Sequence, residues 1–325
     1  MSPPGPPARF APDFGQRVLL TVDTEEEFDW DAPFTRDRHG LDHLPRLRNF
    51  QQFCEDHAIV PVYLVDWPIA TSPLAQEILG DAAARGAAEI GIQLHPWVNP
   101  PFDEEVNARN SFAGNLPPEL ERDKLLRLRD AIAQGFGIEP IIYRAGRYGF
   151  GPATPGLLQE AGVAIDTSFR ALFDYSGGHG PDYSACPLTP FWLDDERQVL
   201  ELPVTTVYWG MLRQQGRMLH PLLSRAPALS GLFAKLGLLQ RIALTPEGIT
   251  IDEAVRGLDI AIDDRLPLIV LSFHSPSLAP GHTPYVKSEG DVGALYGWLA
   301  AVFAYLARHG VRPTTVAEIV QSVVR

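Results

Sequence analysis

Cysteine is nearly absent: Cys54 and Cys186 are the only two in 325 residues. Two thiols provide neither a disulfide framework nor a cysteine-based zinc site, and they read as reduced, buried small hydrophobes suited to the cytoplasm. Positive charge is short as well, with 27 Lys and Arg against 40 Asp and Glu and a formal net charge of −13. That balance argues against a nucleic-acid backbone or an anionic membrane surface as partner and is compatible with a neutral substrate. No uninterrupted apolar run approaches the roughly 20 residues that span a bilayer, so a soluble chain is expected. The opening Met1-Ser2-Pro3-Pro4-Gly5-Pro6-Pro7 lacks the apolar core of a signal peptide. Residues 1–15 are expected to form a flexible, proline-rich tail. There is no G-x-G-x-x-G or G-K-[ST] loop to support a nucleotide-binding sheet, and no internal repeat.

What is present is an alternation of short apolar runs with helix-period stripes. Val18–Val22, Val60–Val65, Glu89–His95, Pro140–Tyr143, Val163–Ile165, Val199–Val204 and Leu266–His274 read as buried strands, with a final one near Pro313–Val316. Leu41, Leu44, Leu47, Phe50 and Cys54 recur at helical spacing, as do Leu120, Leu125, Leu128 and Ile132, and later Val292, Leu295, Leu299, Val302 and Leu306. Strands of continuous apolarity, each followed by a helix, imply a parallel sheet covered on both faces. At this length the expectation is an α/β protein, a distorted (β/α) barrel of about seven parallel strands in one domain over 16–325. The segment 208–244 breaks the pattern, mostly apolar with scattered cations, and reads as an inserted helical hairpin lying on the barrel.

The polar residues worth singling out fall where these strands end. Val18–Val22 empties into Asp23, Thr24, Glu25, Glu26, Glu27, Phe28, Asp29 and Trp30. Desolvating so many carboxylates is expensive unless a cation, a proton or water compensates them, which makes this stretch a functional-site candidate. His95, Arg144, Asp166 and His274 follow other strands, and in a β/α barrel such ends form one rim.

Taken in order, Thr21-Val22-Asp23-Thr24-Glu25, Glu89-Ile90-Gly91 with His95, Arg144-Ala145-Gly146-Arg147-Tyr148-Gly149, Asp166-Thr167-Ser168 and Leu271-Ser272-Phe273-His274 resemble five motifs of the polysaccharide deacetylases. These are carbohydrate esterases of the NodB-homology type on a distorted β/α barrel. Gln93-Leu94-His95-Pro96-Trp97 looks like the WalW-like branch associated with exopolysaccharide synthesis. The resemblance implies removal of N- or O-acetyl groups from a polysaccharide or its precursor, assisted by a divalent metal, often zinc in the family. It assigns Asp23 as the base, His274 as the acid, Arg144 as the residue orienting the base and Asp166 as an outer residue tuning charge.

Two departures stand out. The usual second aspartate of the first motif, a metal ligand, is here Thr24, and Glu25 is the substitute carboxylate. The second motif expects two histidines four apart. Starting at His95 puts Asn99 second; starting at Gln93 puts Trp97 second. The metal set implied is Glu25, His95 and Asn99, with Trp97, Tyr148 and Trp30 as sugar-binding aromatics. Two further readings stay open: a metal-independent amide hydrolase working through Asp23, His274 and water, and a non-catalytic carbohydrate-binding accessory protein.

Overall fold

The computed structural model describes residues 5–324. Strand β1 (Arg9–Phe10) precedes the long β2 (Arg17–Thr24). Helix α1 (Arg46–Asp56) leads to β3 (Val62–Val65), α2 (Trp67–Ala70) and α3 (Pro73–Ala84) to β4 (Glu89–Leu94), α4 (Pro118–Phe136) to β5 (Ile142–Ala145), and α5 (Thr154–Glu160) to β6 (Ile165–Asp166). Then come β7 (Phe191–Trp192), β8 (Leu200–Glu201), β9 (Thr206–Trp209), α6 (Gly216–Leu223), α7 (Pro227–Lys235) and β10 (Gln240–Ala243). The chain finishes with α8 (Ile251–Asp263), β11 (Leu268–His274), α9 (Glu289–Arg308), β12 (Arg312–Pro313), α10 (Val316–Ser322) and β13 (Val323–Val324).

The main sheet runs in the order β11, β2, β3, β4, β5, β6, β8, β7, with β12 beside the start of β2. Its pairings are parallel except the β7–β8 edge. The expected barrel is thus a mixed α/β fold with a curled, half-barrel sheet. Between β8 and β11 a single residue bridges the seam: Thr205 N donates to Val270 O at 3.1 Å and Thr205 Oγ1 accepts from Val270 N at 2.8 Å.

The period of two along each strand sorts the residues. Val18, Leu20 and Val22 face the helices, whereas Leu19 joins Val62, Leu64, Ile142, Leu268 and Val270 in a separate apolar floor inside the sheet. The next inward positions are polar. Thr21 stands opposite Ser272, and Asp23 opposite His274, in the β2–β11 register; Gln93 stands opposite Arg144 in β4–β5. Burying a Val or Leu side chain is worth about 1.5–3 kcal/mol, so this floor helps offset the cost of burying charge above it.

Three expectations can be set against the structure. Of the tail over 1–15, residues 1–4 lie outside the described residues, and the rest is laid on the domain: Arg9 and Phe10 pair antiparallel with Val324 and Val323, and Pro7 bridges Phe191. Phe14, stacked on Phe10 at 4.5 Å, is an apolar anchor for this segment that the proline count concealed. Second, α9 is long and apolar enough by composition to cross a membrane, although its Val292, Leu295, Leu299, Val302 and Leu306 stripe is buried in the core. Third, the segment 208–244 is a pair of helices set between antiparallel β9 and β10, Trp209 opposite Gln240.

Candidate active site

At the carboxyl ends of the parallel strands lies a cavity of about 290 Å³ whose lining includes Asp23, Glu25, Trp30, Gln93, His95 and His274. Arg144 is its buried foundation. The guanidinium donates from Nε to Thr167 O at 2.9 Å, from Nη1 to Ser272 Oγ at 2.8 Å and to Asp23 Oδ1, and from Nη2 to Thr21 Oγ1 at 2.9 Å. A buried ion pair is tolerated only when its remaining polar atoms are satisfied, and here the arginine is.

Across from it, His274 Nε2 lies 3.8 Å from Asp23 Oδ2, while His274 Nδ1 is 2.7 Å from Glu247 Oε2. Burial works against charge on this imidazole, but Glu247, Glu25 and Asp23 overcome it and raise its pKa to about 10. His274 is therefore an imidazolium at neutral pH. Glu247 also accepts from Ser277 Oγ at 2.6 Å, which fixes its position.

The second motif supplies His95. Its Nδ1 is 2.9 Å from Glu26 Oε2 and its Nε2 is 3.4 Å from Glu25 Oε2. Gly146 makes this possible, since a side-chain carbon there would collide with the His95 ring and sit 2.6 Å from Leu94 O. Burial raises Glu25 to about 8, partly relieved by His274 and His95. Gln93 donates from Nε2 to Glu25 Oε2 at 3.1 Å, and its buried carbonyl oxygen has no hydrogen-bond partner.

Behind His95 the acidic stretch is spent on structure. Glu26 accepts from Trp97 Nε1 at 2.7 Å, and its backbone N–H donates to Asp66 Oδ2 at 2.7 Å. Burial raises both carboxyls, and the neighbouring Glu26 raises Asp66 further. The donor atoms of Glu26, Asp66 and His95 lie within 4.8 Å of one another, yet they are taken up by each other, by Trp97 and by backbone amides. The cavity-lining Glu25, His95 Nε2 and Gln93 would offer a divalent cation one carboxylate, one imidazole and, with the amide turned over so that its oxygen replaces the nitrogen now on Glu25, an amide oxygen, a set harder than a typical zinc site.

Several sequence-based assignments are corrected. Asn99 is not in the cavity; its Nδ2 donates to Lys124 O at 3.0 Å and Pro100 O at 2.8 Å, because the loop turns away after Pro96. Trp97 does not face substrate space; it is buried, stacked on His95 at 4.3 Å and tied to Glu26. Asp166 has the wrong parity. Ile165 points into the apolar floor, so Asp166 points outward, where it accepts from Ser168 Oγ at 2.5 Å beside Glu201. Thr24 Oγ1 donates to Val22 O at 2.9 Å and offers the cavity nothing. Of the aromatics, Trp30 and Tyr148 do line the cavity, joined by Phe34, Tyr175 and Tyr285, which sequence reasoning missed along with Glu247.

The fold is one found in solved structures. The chain superposes on a candidate polysaccharide deacetylase from Mycobacterium smegmatis with a TM-score of 0.50 and 20% identity, over 97% of this chain and 98% of that one. It superposes equally, TM-score 0.50 at 14% identity, on 4-alpha-glucanotransferase from Thermococcus litoralis, over 94% of this chain and 40% of that one. At such identities the likeness shows a shared fold, and two differently named enzymes on one fold leave the reaction to the site. No family model and no curated protein sequence matches the chain.

Proposed function

We propose that this chain is a hydrolase that removes an acetyl group, as amide or ester, from a saccharide. One observation carries the reading: Asp23, fixed by Arg144, faces His274, fixed by Glu247, across 3.8 Å in the cavity floor. Asp23 is placed to take a proton from an attacking water, and Arg144 keeps its second oxygen engaged so that the free one faces the reaction. The imidazolium of His274 is placed to give a proton from Nε2 to the departing amine or alkoxide, with Glu247 holding the ring's other nitrogen. Glu25, His95 and Gln93 would hold a divalent cation, which when bound supplies Lewis-acid polarisation of the acyl carbonyl. Trp30, Tyr148 and Tyr285 offer flat apolar faces suited to a pyranose ring.

A second reading has its own observation. Thr24 turns its hydroxyl into the backbone and leaves the first motif one carboxylate short, so the Asp23 and His274 pair working through water without metal is the alternative. One assay addresses both: acetate release from acetylated sugar oligomers and from a small acetyl ester, with added divalent cation and after chelation. Release that disappears in Asp23→Asn supports the hydrolase, and chelation separates the two routes. No release from any acetylated sugar or ester, with or without added cation, overturns both.

A further inference from the structure

The helical hairpin of α6 and α7 is folded on its inner side and bare on its outer one. Inward, Leu223 and Leu239 are buried with Tyr208, and Leu219 and Phe233 pack against the same cluster. Outward, Met211 is 82% exposed, Met218 66%, Leu222 61%, Leu229 44%, Leu232 49% and Leu236 60%. Met218 and Leu222 are four apart, and Leu229, Leu232 and Leu236 three and four apart, so each helix gathers its exposed apolar residues on one face. Among the described residues, most of the large exposed hydrophobics sit on this one segment.

Its charge is as lopsided as its exposure. Between 208 and 244 stand Arg213, Arg217, Arg225, Lys235 and Arg241 and no carboxylate, in a chain whose net charge is −13. Arg213 is paired with Asp264, Arg217 donates to the carbonyls of Ser184 and Cys186, and Arg241 lies over the Phe173 ring. Arg225 and Lys235 are left exposed beside the leucines.

We propose that this hairpin is a docking face for an anionic membrane surface. Apolar helix faces flanked by cations and free of acids are what lies in the headgroup region of such a bilayer. A second copy is the poorer occupant, because a two-fold contact would bring Arg225 and Lys235 of both copies together with no carboxylate in the segment to meet them. None of the chain's 40 acidic residues, whose excess by itself argues against a membrane, lies in the segment 208–244, and the contacts Asp264 and Glu253 make with it are to Arg213 and Gln240. Strand β10 runs from the hairpin into Leu244 and Thr245, which line the cavity, so docking would hold the cavity beside the headgroups. The inference stands on exposure and charge and does not depend on the hydrolase reading.

The test is sedimentation of the full chain with vesicles of phosphatidylcholine, with and without phosphatidylglycerol. Binding should require phosphatidylglycerol and fall as salt rises. The double variant Arg225→Gln with Lys235→Gln should bind about 30-fold more weakly. Leu222→Ser with Leu232→Ser should abolish binding, and both variants should melt as the wild type does, since the altered side chains are exposed. Wild-type protein that stays in the supernatant with phosphatidylglycerol vesicles at low salt overturns the proposal. So does a wild-type dimer that the leucine variant converts to monomer, which would make a second copy the occupant.

Discussion

His43 Nε2 stands 2.8 Å from Ser275 Oγ, and the same hydroxyl accepts the backbone N–H of Glu25 at 3.3 Å. Glu27 completes the row, with Oε1 2.8 Å from His43 Nδ1. The order of groups resembles a nucleophilic serine arrangement, but Ser275 is fully buried and lines no part of the cavity. Its work is to hold Glu25 and, through the adjoining backbone, His274. Ser275→Ala would strand His43 Nε2 and the Glu25 N–H without partners. A stability loss of about 1–3 kcal/mol in urea unfolding is expected, together with reduced acetate release.

Asp23 separates a structural role from a chemical one. Asp23→Ala leaves Arg144 buried without its counter-charge and should cost about 3–5 kcal/mol. Asp23→Asn keeps an acceptor for the guanidinium and should fold nearly normally while losing roughly 10²–10⁴-fold in kcat/KM. Equal activity in Asp23→Asn and wild type would remove Asp23 from the chemistry.

The pH profile follows from His274. A histidine pKa raised from 6.5 to about 10 means that the charge, and the stability it contributes, is fully present below 6.5 and is lost as pH rises through about 10. The alkaline limb of kcat/KM should therefore fall near pH 10. Glu247→Gln removes a major source of the upward shift and should move that limb to lower pH.

Metal loading should be coupled to proton release. With Glu25 raised to about 8, a cation arriving at neutral pH displaces a proton, so affinity climbs with pH. Calorimetry in buffers of different ionisation enthalpy measures this directly. His95→Ala and Gln93→Leu should weaken binding, whereas Asn99→Ala should not. Weakening by Asn99→Ala alone would restore the other alignment of the motif.

Strand ends and their polar residues were legible because apolar runs stop abruptly, and Asp23, Glu25, His95, Arg144 and His274 do gather in one place. The side-chain parity of a two-residue strand was not: nothing in Ile165-Asp166-Thr167 says which residue points inward until Leu200 and Leu202 complete the apolar floor. Glu247 was hidden because Thr245-Pro246-Glu247 carries no pattern of its own, and its partner lies 27 residues further on. The alignment ambiguity at Gln93 and His95 could be resolved only by the turn after Pro96, which takes Trp97 behind the histidine and Asn99 toward Lys124.

Trp97 has a use that its sugar-stacking assignment obscured. Its indole lies on the His95 ring and donates to the carboxyl pair behind it, so the molecule carries an intrinsic optical reporter one residue deep to the reactive surface. A change of charge at His95, whether by a proton or a cation, should alter the emission of a chromophore that does not line the cavity.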